Sequence, residues 1–262
     1  MSHKLTTDVI YLDFAKAFDS VVHSKLLFKL ECYGINGLTL QWIKSFLCGR
    51  TQKVKIGSSF STSATVTSGV PQGSVLGPVF FLVFINDICN SCDCGAQMQL
   101  FADDVKLYLG VKNQLSFDVI QNTLDRITNW CRVWQLNLSP TKCAVLSIGG
   151  TTSRFAYKID GVTIPRVNSF KDLGVTIDSS LSFDSHINQM CTKANQRAAL
   201  ILKCFTSRDP ELLIRAFIVF VRPMLEYASS VWSPYKVSFI DKVESVQRRF
   251  TKRLLGLSKL KI

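Results

Sequence analysis

No stretch of this chain is apolar for long enough to cross a membrane. Its longest apolar run, Val79 to Ile85 within Pro78 to Asp87, falls far short of the roughly 20 residues a spanning helix needs. A second apolar segment, Leu212 to Leu225, is interrupted by Arg215, Arg222 and Pro223. Both are read as buried core helices, with no membrane partner. The nine cysteines have no regular spacing, their number is odd, and no secretory leader or other targeting signal precedes them. This excludes an extracellular disulfide framework and leads us to expect a reduced intracellular protein, nuclear or cytoplasmic. Cys89, Cys92 and Cys94 alone cluster, but no His or further Cys completes a zinc spacing, which favours a polar loop with free thiols. No internal repeat is present. With 47% apolar and 19% charged residues, disordered and collagen-like classes are excluded, and 262 residues suffice for a sizeable core.

Acidic residues are scarce where basic ones are abundant. Residues 1–110 hold 9 Lys+Arg against 8 Asp+Glu, whereas residues 111–262 hold 22 against 11. An acid-bearing first half joined to a basic second half suits a charged site beside a surface that holds a polyanion, although a solvated basic face gives the same count.

Period and punctuation sketch the elements. Asp8 to Phe14 reads as a strand, followed by helical spacing at Leu26, Leu27, Leu30 and Tyr33 and a second helix over Leu40 to Leu47. Gln52 to Val70 is β-rich, with Gly57 at a hairpin turn. The loop Ser68 to Ser74 opens the apolar helix that runs to Asp87, with Ser74 as its N-cap. After the strands around Asp103-Asp104 come an amphipathic helix over Leu115 to Trp134 and strands at Lys142 to Ile148, Ala156 to Ile159, Val162 to Ile164 and Leu173 to Ile177. From Ser185 onward the pattern is helical, near Ile187 to Phe205, Pro210 to Ala228 and Phe239 to Leu255, with 14 Lys+Arg against 5 Asp+Glu. A boundary is therefore expected near residue 180.

Three acids stand out. Asp103 and Asp104 sit side by side between two apolar alternations, Gln99 to Phe101 and Val105 to Tyr108, at what reads as a hairpin tip. Adjacent carboxylates there repel strongly enough to call for a cation. Asp13 ends the first strand. Singly, Asp13 could be a turn residue and the pair a solvated loop; jointly they fit a two-metal phosphoryl-transfer site, which needs carboxylates converging from separate segments.

Leu12 to Asp19, Ser68 to Pro78 and Phe101 to Asp104 resemble, in order and spacing, motifs A, B and C of reverse transcriptases. Ala17-Phe18-Asp19 and Gly77-Pro78 are most similar to the enzymes of non-LTR retrotransposons, the LINE-type, Jockey- and CR1-like elements. The resemblance implies a mixed α/β (α+β) palm of the right-hand polymerase type, residues 1–180, with an antiparallel sheet and flanking helices. An all-helical, basic, thumb-like unit, residues 181–262, follows it. It also implies an RNA-directed DNA polymerase that takes an RNA template, a DNA primer and deoxynucleoside triphosphates, with two Mg²⁺ ions, or Mn²⁺ in their place.

By that resemblance Asp13 and Asp103 are metal ligands, Asp104 completes the acidic cluster, and the Phe14 carbonyl is a further ligand. Phe18 falls at the sugar gate that excludes a ribose 2′-OH; composition alone would make it a core aromatic. Gln72 and Gly73 lie where the family's motif B meets the incoming nucleotide. Lys142 resembles the lysine that protonates leaving pyrophosphate, and Phe170 to Val175 the primer-grip hairpin. Lys193, Arg197, Lys203, Arg248, Arg249, Lys252 and Arg253 are expected to track duplex phosphates. Trp130, Trp134 and Trp232 are read as core in preference to base-stacking residues. Only 12 residues precede Asp13, whereas the family carries a fingers region upstream, so the chain is expected to be a piece of a longer reading frame or a truncated gene product. The alternative to an active polymerase is an inactive remnant that only binds nucleic acid.

Overall fold

A computed structural model describes residues 6–92, 95–149 and 155–256. The chain divides into two compact units, Met1–Val167 and Asn168–Ile262. The expected boundary near residue 180 marks where helices take over, whereas the compact division falls earlier and places a hairpin in the second unit.

The first unit opens with β1 (Thr6–Leu12), a 3-10 turn (Ala17–Ser20), α1 (His23–Cys32) and α2 (Gly37–Leu47). Four short strands follow: β2 (Thr51–Gln52), β3 (Lys55–Ile56), β4 (Ser59–Phe60) and β5 (Ala64–Thr65). Then come α3 (Leu76–Ile85), a second 3-10 turn (Asn86–Ser91), β6 (Gln97–Phe101), β7 (Asp104–Val111) and α4 (Gln114–Trp134). The unit closes with β8 (Ala144–Ile148), β9 (Lys158–Ile159), β10 (Val162–Thr163) and β11 (Arg166–Val167). Its main sheet has the order β11-β8-β1-β7-β6 and is antiparallel except for β11 on β8.

β1 is the middle strand, and its composition explains why. Val9, Ile10, Tyr11 and Leu12 are β-branched, aromatic or aliphatic and are all buried, as a strand flanked on both edges and covered by helices requires. Ile10 and Leu107 pair across it and meet Leu26, Phe81 and Phe84 in one core, each such side chain contributing about 1.5–3 kcal/mol on burial. The strand stops at Leu12, two residues before the expected Phe14, which instead forms an isolated antiparallel bridge with Leu138. β8 likewise starts at Ala144, because the turn at Ser139 takes the N–H groups of Lys142 and Cys143.

α3 is not wholly buried as its composition suggests: Phe80, Phe81, Phe84 and Ile85 face the core while Val79 and Leu82 are half exposed. An all-round apolar helix here has one face against the core and one outward. Ser74 supports its start as expected, accepting a hydrogen bond from the Gly77 N–H at 3.0 Å, although the helix proper begins at Leu76. Among the described residues of this unit, Asp8 and Lys29 are buried charges. Asp8, fully buried, accepts from Ser147 Oγ (2.5 Å), Tyr157 OH (2.9 Å) and Arg166 Nη1 (3.1 Å). Lys29 pairs with Asp87, donates to the Phe84 carbonyl and lies over the rings of Phe84, Trp130 and Trp134. Burial lowers its pKa, with Asp87 opposing the shift. Trp130 thus belongs to the core, as expected, and Trp134 packs against it.

The second unit holds the hairpin β12 (Ser169–Asp172) and β13 (Val175–Asp178), then α5 (Asp184–Cys204), α6 (Pro210–Phe220), α7 (Arg222–Glu226), α8 (Ser229–Trp232) and α9 (Val237–Thr251). The single helix expected over Pro210 to Ala228 breaks at Val221, because Pro223 has no N–H to continue the ladder. Leu212 to Leu225 is also less buried than its composition suggests: Leu213, Ala216, Phe217 and Val221 are core, and Ile218, Val219 and Phe220 are exposed. Trp232 is 3% exposed and donates its indole N–H to the Tyr227 carbonyl, a core residue as expected.

Candidate active site

The register of β1 on β7 pairs Leu12 with Val105. Extended one step past that last pair, the register would set Asp13 opposite Asp104, so the two acid-bearing segments end at the same end of the sheet. The hairpin is as tight as the sequence suggests: Phe101 pairs with Asp104, leaving only Ala102 and Asp103 in the turn. Ala102 has φ +53°, a left-handed backbone that a residue with a Cβ adopts at a cost. That strain sits at the step that presents Asp103.

Asp13 is half-buried, and its Oδ2 is sheltered from solvent without a hydrogen-bond partner among the described residues. Lys142 Nζ stands 3.8 Å from it, an ion-pair distance too long for a hydrogen bond. The Asp13 backbone is fixed instead: its carbonyl accepts from Ser139 N–H at 2.8 Å, and its N–H points at Cys143 Sγ at 3.4 Å. Burial pushes the Cys143 thiol up, so it stays a neutral neighbour. At the Phe14–Leu138 bridge, the hydrogen bonds run from Ser139 to Asp13 and from Ala15 to Asn137. This pattern turns Phe14's own N–H and C=O to the opposite side of the strand, the side of β7. Among the described residues no three His, Cys, Asp or Glu side chains form a ready-made metal cluster. Of the cysteine cluster, Cys92 donates to the Ala96 carbonyl, and Cys94 lies outside the described residues.

The Ser68 to Ser74 loop is fastened to the turn after β1. Gly69 N–H donates to the Val21 carbonyl (2.8 Å), Val70 N–H to the Phe18 carbonyl (2.9 Å), and Ser68 Oγ to the Asp19 carbonyl (2.9 Å). Gly69, at φ +90°, has no room for a Cβ, which would lie 2.9 Å from the Asp19 Cα and carbonyl oxygen. His23, buried, adds a contact from Nε2 to the Gly69 carbonyl at 2.8 Å. Gly77 lets α3 approach the same loop, since a Cβ there would stand 2.6 Å from the Pro71 carbonyl. Gln72 and Gly73 are exposed at the loop's outer edge, and Gln72 Nε2 donates to Asp19 Oδ1 at 2.8 Å. Phe18 is partly buried and stacked on Phe81 at 4.4 Å. It therefore has core packing on one side and exposure on the other.

Sequence reasoning missed Asp19 and His23 as parts of this arrangement. A His beside an apolar segment and a second acid six residues after Asp13 were the available signals, and neither reveals its partner without the tertiary contact.

In the second unit, Leu173 (φ +44°) and Gly174 make the two-residue turn between β12 and β13, a geometry matched to strand twist. The expected basic residues divide by face. At 100° per residue, Lys193 and Arg197 share one flank of α5 and Lys203 lies well round the helix; all three are exposed. Arg249, Lys252 and Arg253 are exposed along the side of α9 and its end away from buried Val246, Phe250 and Leu254, whereas Arg248 is partly covered and stands 3.7 Å from Asp241. Lys171, Lys193, His186 and Tyr227 line a cavity of about 370 Å³.

Residues 1–177 match the family model described as reverse transcriptase (RNA-dependent DNA polymerase). The chain is 28% identical over 256 residues to the probable RNA-directed DNA polymerase from transposon X-element of Drosophila melanogaster, covering 94% of this chain and 28% of that protein. It is 27% identical over 257 residues to the RNA-directed DNA polymerase from mobile element jockey of the same organism, again covering 94% and 28%. With the Pol polyprotein from type-1 retrotransposable element R2 of Popillia japonica it shares 29% over 195 residues, 67% of this chain and 31% of that one. The chain thus spans less than a third of these relatives' length. The solved telomerase of Candida tropicalis, in complex with the TWJ fragment of telomeric RNA, has the same fold at TM-score 0.51 and 11% identity, over 95% of this chain and 38% of that one. Among the described residues no helix is long and apolar enough to cross a membrane. With two thirds of its length matched to that family model, and its curated relatives being RNA-directed DNA polymerases of mobile elements, the chain belongs to the reverse transcriptase family.

Proposed function

We propose that the first unit carries the nucleotide-adding site of an RNA-directed DNA polymerase, which extends a DNA primer on an RNA template with deoxynucleoside triphosphates. The carrying observation is Asp13: a carboxylate oxygen sheltered from water, without a hydrogen bond, at the strand end that faces the Asp103-Asp104 turn. An acid left so is suited to a cation. Asp13, Asp103, Asp104 and the Phe14 carbonyl would hold two Mg²⁺ ions, with Mn²⁺ as a substitute. When bound, such a pair activates the primer 3′-OH and neutralises charge developing on the phosphates.

The other side chains position and exclude. Phe18, braced by Phe81, blocks the space a ribose 2′-OH would need and so selects deoxynucleotides. Gln72 and Gly73 meet the incoming nucleotide at the edge of a thin loop. Lys142, exposed and beside Asp13, donates a proton to the departing pyrophosphate. Lys193, Arg197, Lys203, Arg248, Arg249, Lys252 and Arg253 hold phosphates of the template–primer duplex without sequence choice.

The test is primer extension on an RNA template with Mg²⁺, comparing the chain with Asp103→Asn. We expect incorporation that the substitution abolishes. Salt-sensitive binding of template–primer without any incorporation would replace this reading with that of a nucleic-acid-binding remnant.

A further inference from the structure

We propose that Asp19 is a positioning residue for nucleotide selection: its carboxylate fixes the orientation of the Gln72 amide. The proposal rests on the polymerase reading above and adds a residue to it.

The geometry is a single hydrogen bond with a forced direction. Gln72 Nε2 donates to Asp19 Oδ1 at 2.8 Å. An ionised carboxylate only accepts, so the opposite amide rotamer would set Oε1 against a charged oxygen. The Gln72 carbonyl oxygen is therefore turned away from Asp19 and offered as an acceptor to a hydrogen-bond donor of the nucleotide. A free glutamine side chain would present donor and acceptor alike.

Asp19 can impose this because it is itself held. Its carbonyl accepts from Ser68 Oγ, Phe18 and Val21 on either side accept from Val70 and Gly69, and Gly69 lies directly against its Cα. Phe18, the sugar gate of the proposed site, is the preceding residue and is braced by Phe81. Gate and glutamine are thus mounted on one turn, and a polar cleft of about 560 Å³ lined by Lys16, Asp19, Arg50 and Gln72 opens beside them.

Steady-state primer extension with wild type, Asp19→Ala, Gln72→Ala, the double variant and Asp19→Asn tests the proposal. Asp19→Ala should raise KM for dNTP about five- to tenfold with kcat little changed, as loss of one charge-assisted hydrogen bond implies. The double variant should be no worse than the worse single one, since both remove the same contact. Asp19→Asn keeps an accepting oxygen and should restore KM to within about twofold of wild type. Multiplying single effects, or an unchanged KM in Asp19→Ala, overturns the proposal. A ¹H–¹⁵N spectrum separates the pair from the polymerase reading: the Gln72 side-chain amide signals should move in Asp19→Ala. If wild type incorporates nothing, the polymerase reading fails and takes the nucleotide-selection role with it. Unchanged amide signals would overturn the pair even in an active enzyme.

Discussion

Asp8 lies within β1 and Asp13 one residue past its end, and their surroundings are opposite. Asp8 is wholly buried and saturated by Ser147, Tyr157 and Arg166, whereas Asp13 keeps an oxygen with no hydrogen bond among the described residues and a lysine at 3.8 Å. A buried charge kept for stability is paired from every side, because an unpaired one costs several kcal/mol. A charge kept for binding is left incomplete, and its backbone is fastened in its place. Burial alone would have singled out Asp8 and passed over Asp13.

The largest effect that could break this contrast is at Asp13. Asp13→Asn should lower incorporation by more than about 1000-fold, as loss of a charge at the reacting centre does, while the melting temperature stays within about 2 °C, the low end of what 1 kcal/mol moves in a domain of this size. A large fall in melting temperature would make Asp13 a structural acid like Asp8.

Asp8→Ala should do the reverse. It leaves Arg166 and the Tyr157 hydroxyl without their shared acceptor, at an expected loss of about 3 kcal/mol or more in urea unfolding. Tyr157, already raised by burial and by the Asp8 charge, gains nothing by ionising in compensation. An unchanged midpoint would show that water replaces the carboxylate freely.

Gly69→Ala tests the fastening of the loop. A methyl group 2.9 Å from the Asp19 backbone should destabilise by about 1–3 kcal/mol, as overpacking does, and weaken nucleotide binding through the displaced Gln72. Full stability with full activity would mean that the loop is not seated on the turn.

The smallest effect concerns the second unit, which has its own saturated acid. Asp178 is pushed up by burial, but hydrogen bonds from Ser180 and Ser182 outweigh this and hold its carboxyl down to about 2. The stabilisation is therefore complete above pH about 4 and disappears as pH falls through 2, on the order of 1–2 kcal/mol after allowance for solvent screening. Asp178→Asn should remove that part of the acid sensitivity of unfolding measured between pH 2 and 5.

Much of the first unit was legible because its signals are local. The hairpin around Asp103-Asp104, the strand before Asp13 and the helix after Ser74 each follow from alternation, turn size or a cap within a few residues. The misplaced features share another cause. Val79, Leu82, Ile218 and Val219 look like core in sequence but face outward, since composition records how apolar a helix is and not which of its faces meets a neighbour. The break at Val221 was announced by Pro223 and outweighed by the apolar run around it.

By itself the sequence determined the motifs, their order, and the acids on which a metal-dependent reading rests, because those depend on residue type and spacing. Only the tertiary structure decided that Asp8 is saturated by three donors, that Asp13 Oδ2 meets none among the described residues, and that Asp19 accepts from the Gln72 amide. The reason is physical: a carboxylate's role is set by how many donors surround it, and here those donors come from residues up to 158 positions away along the chain.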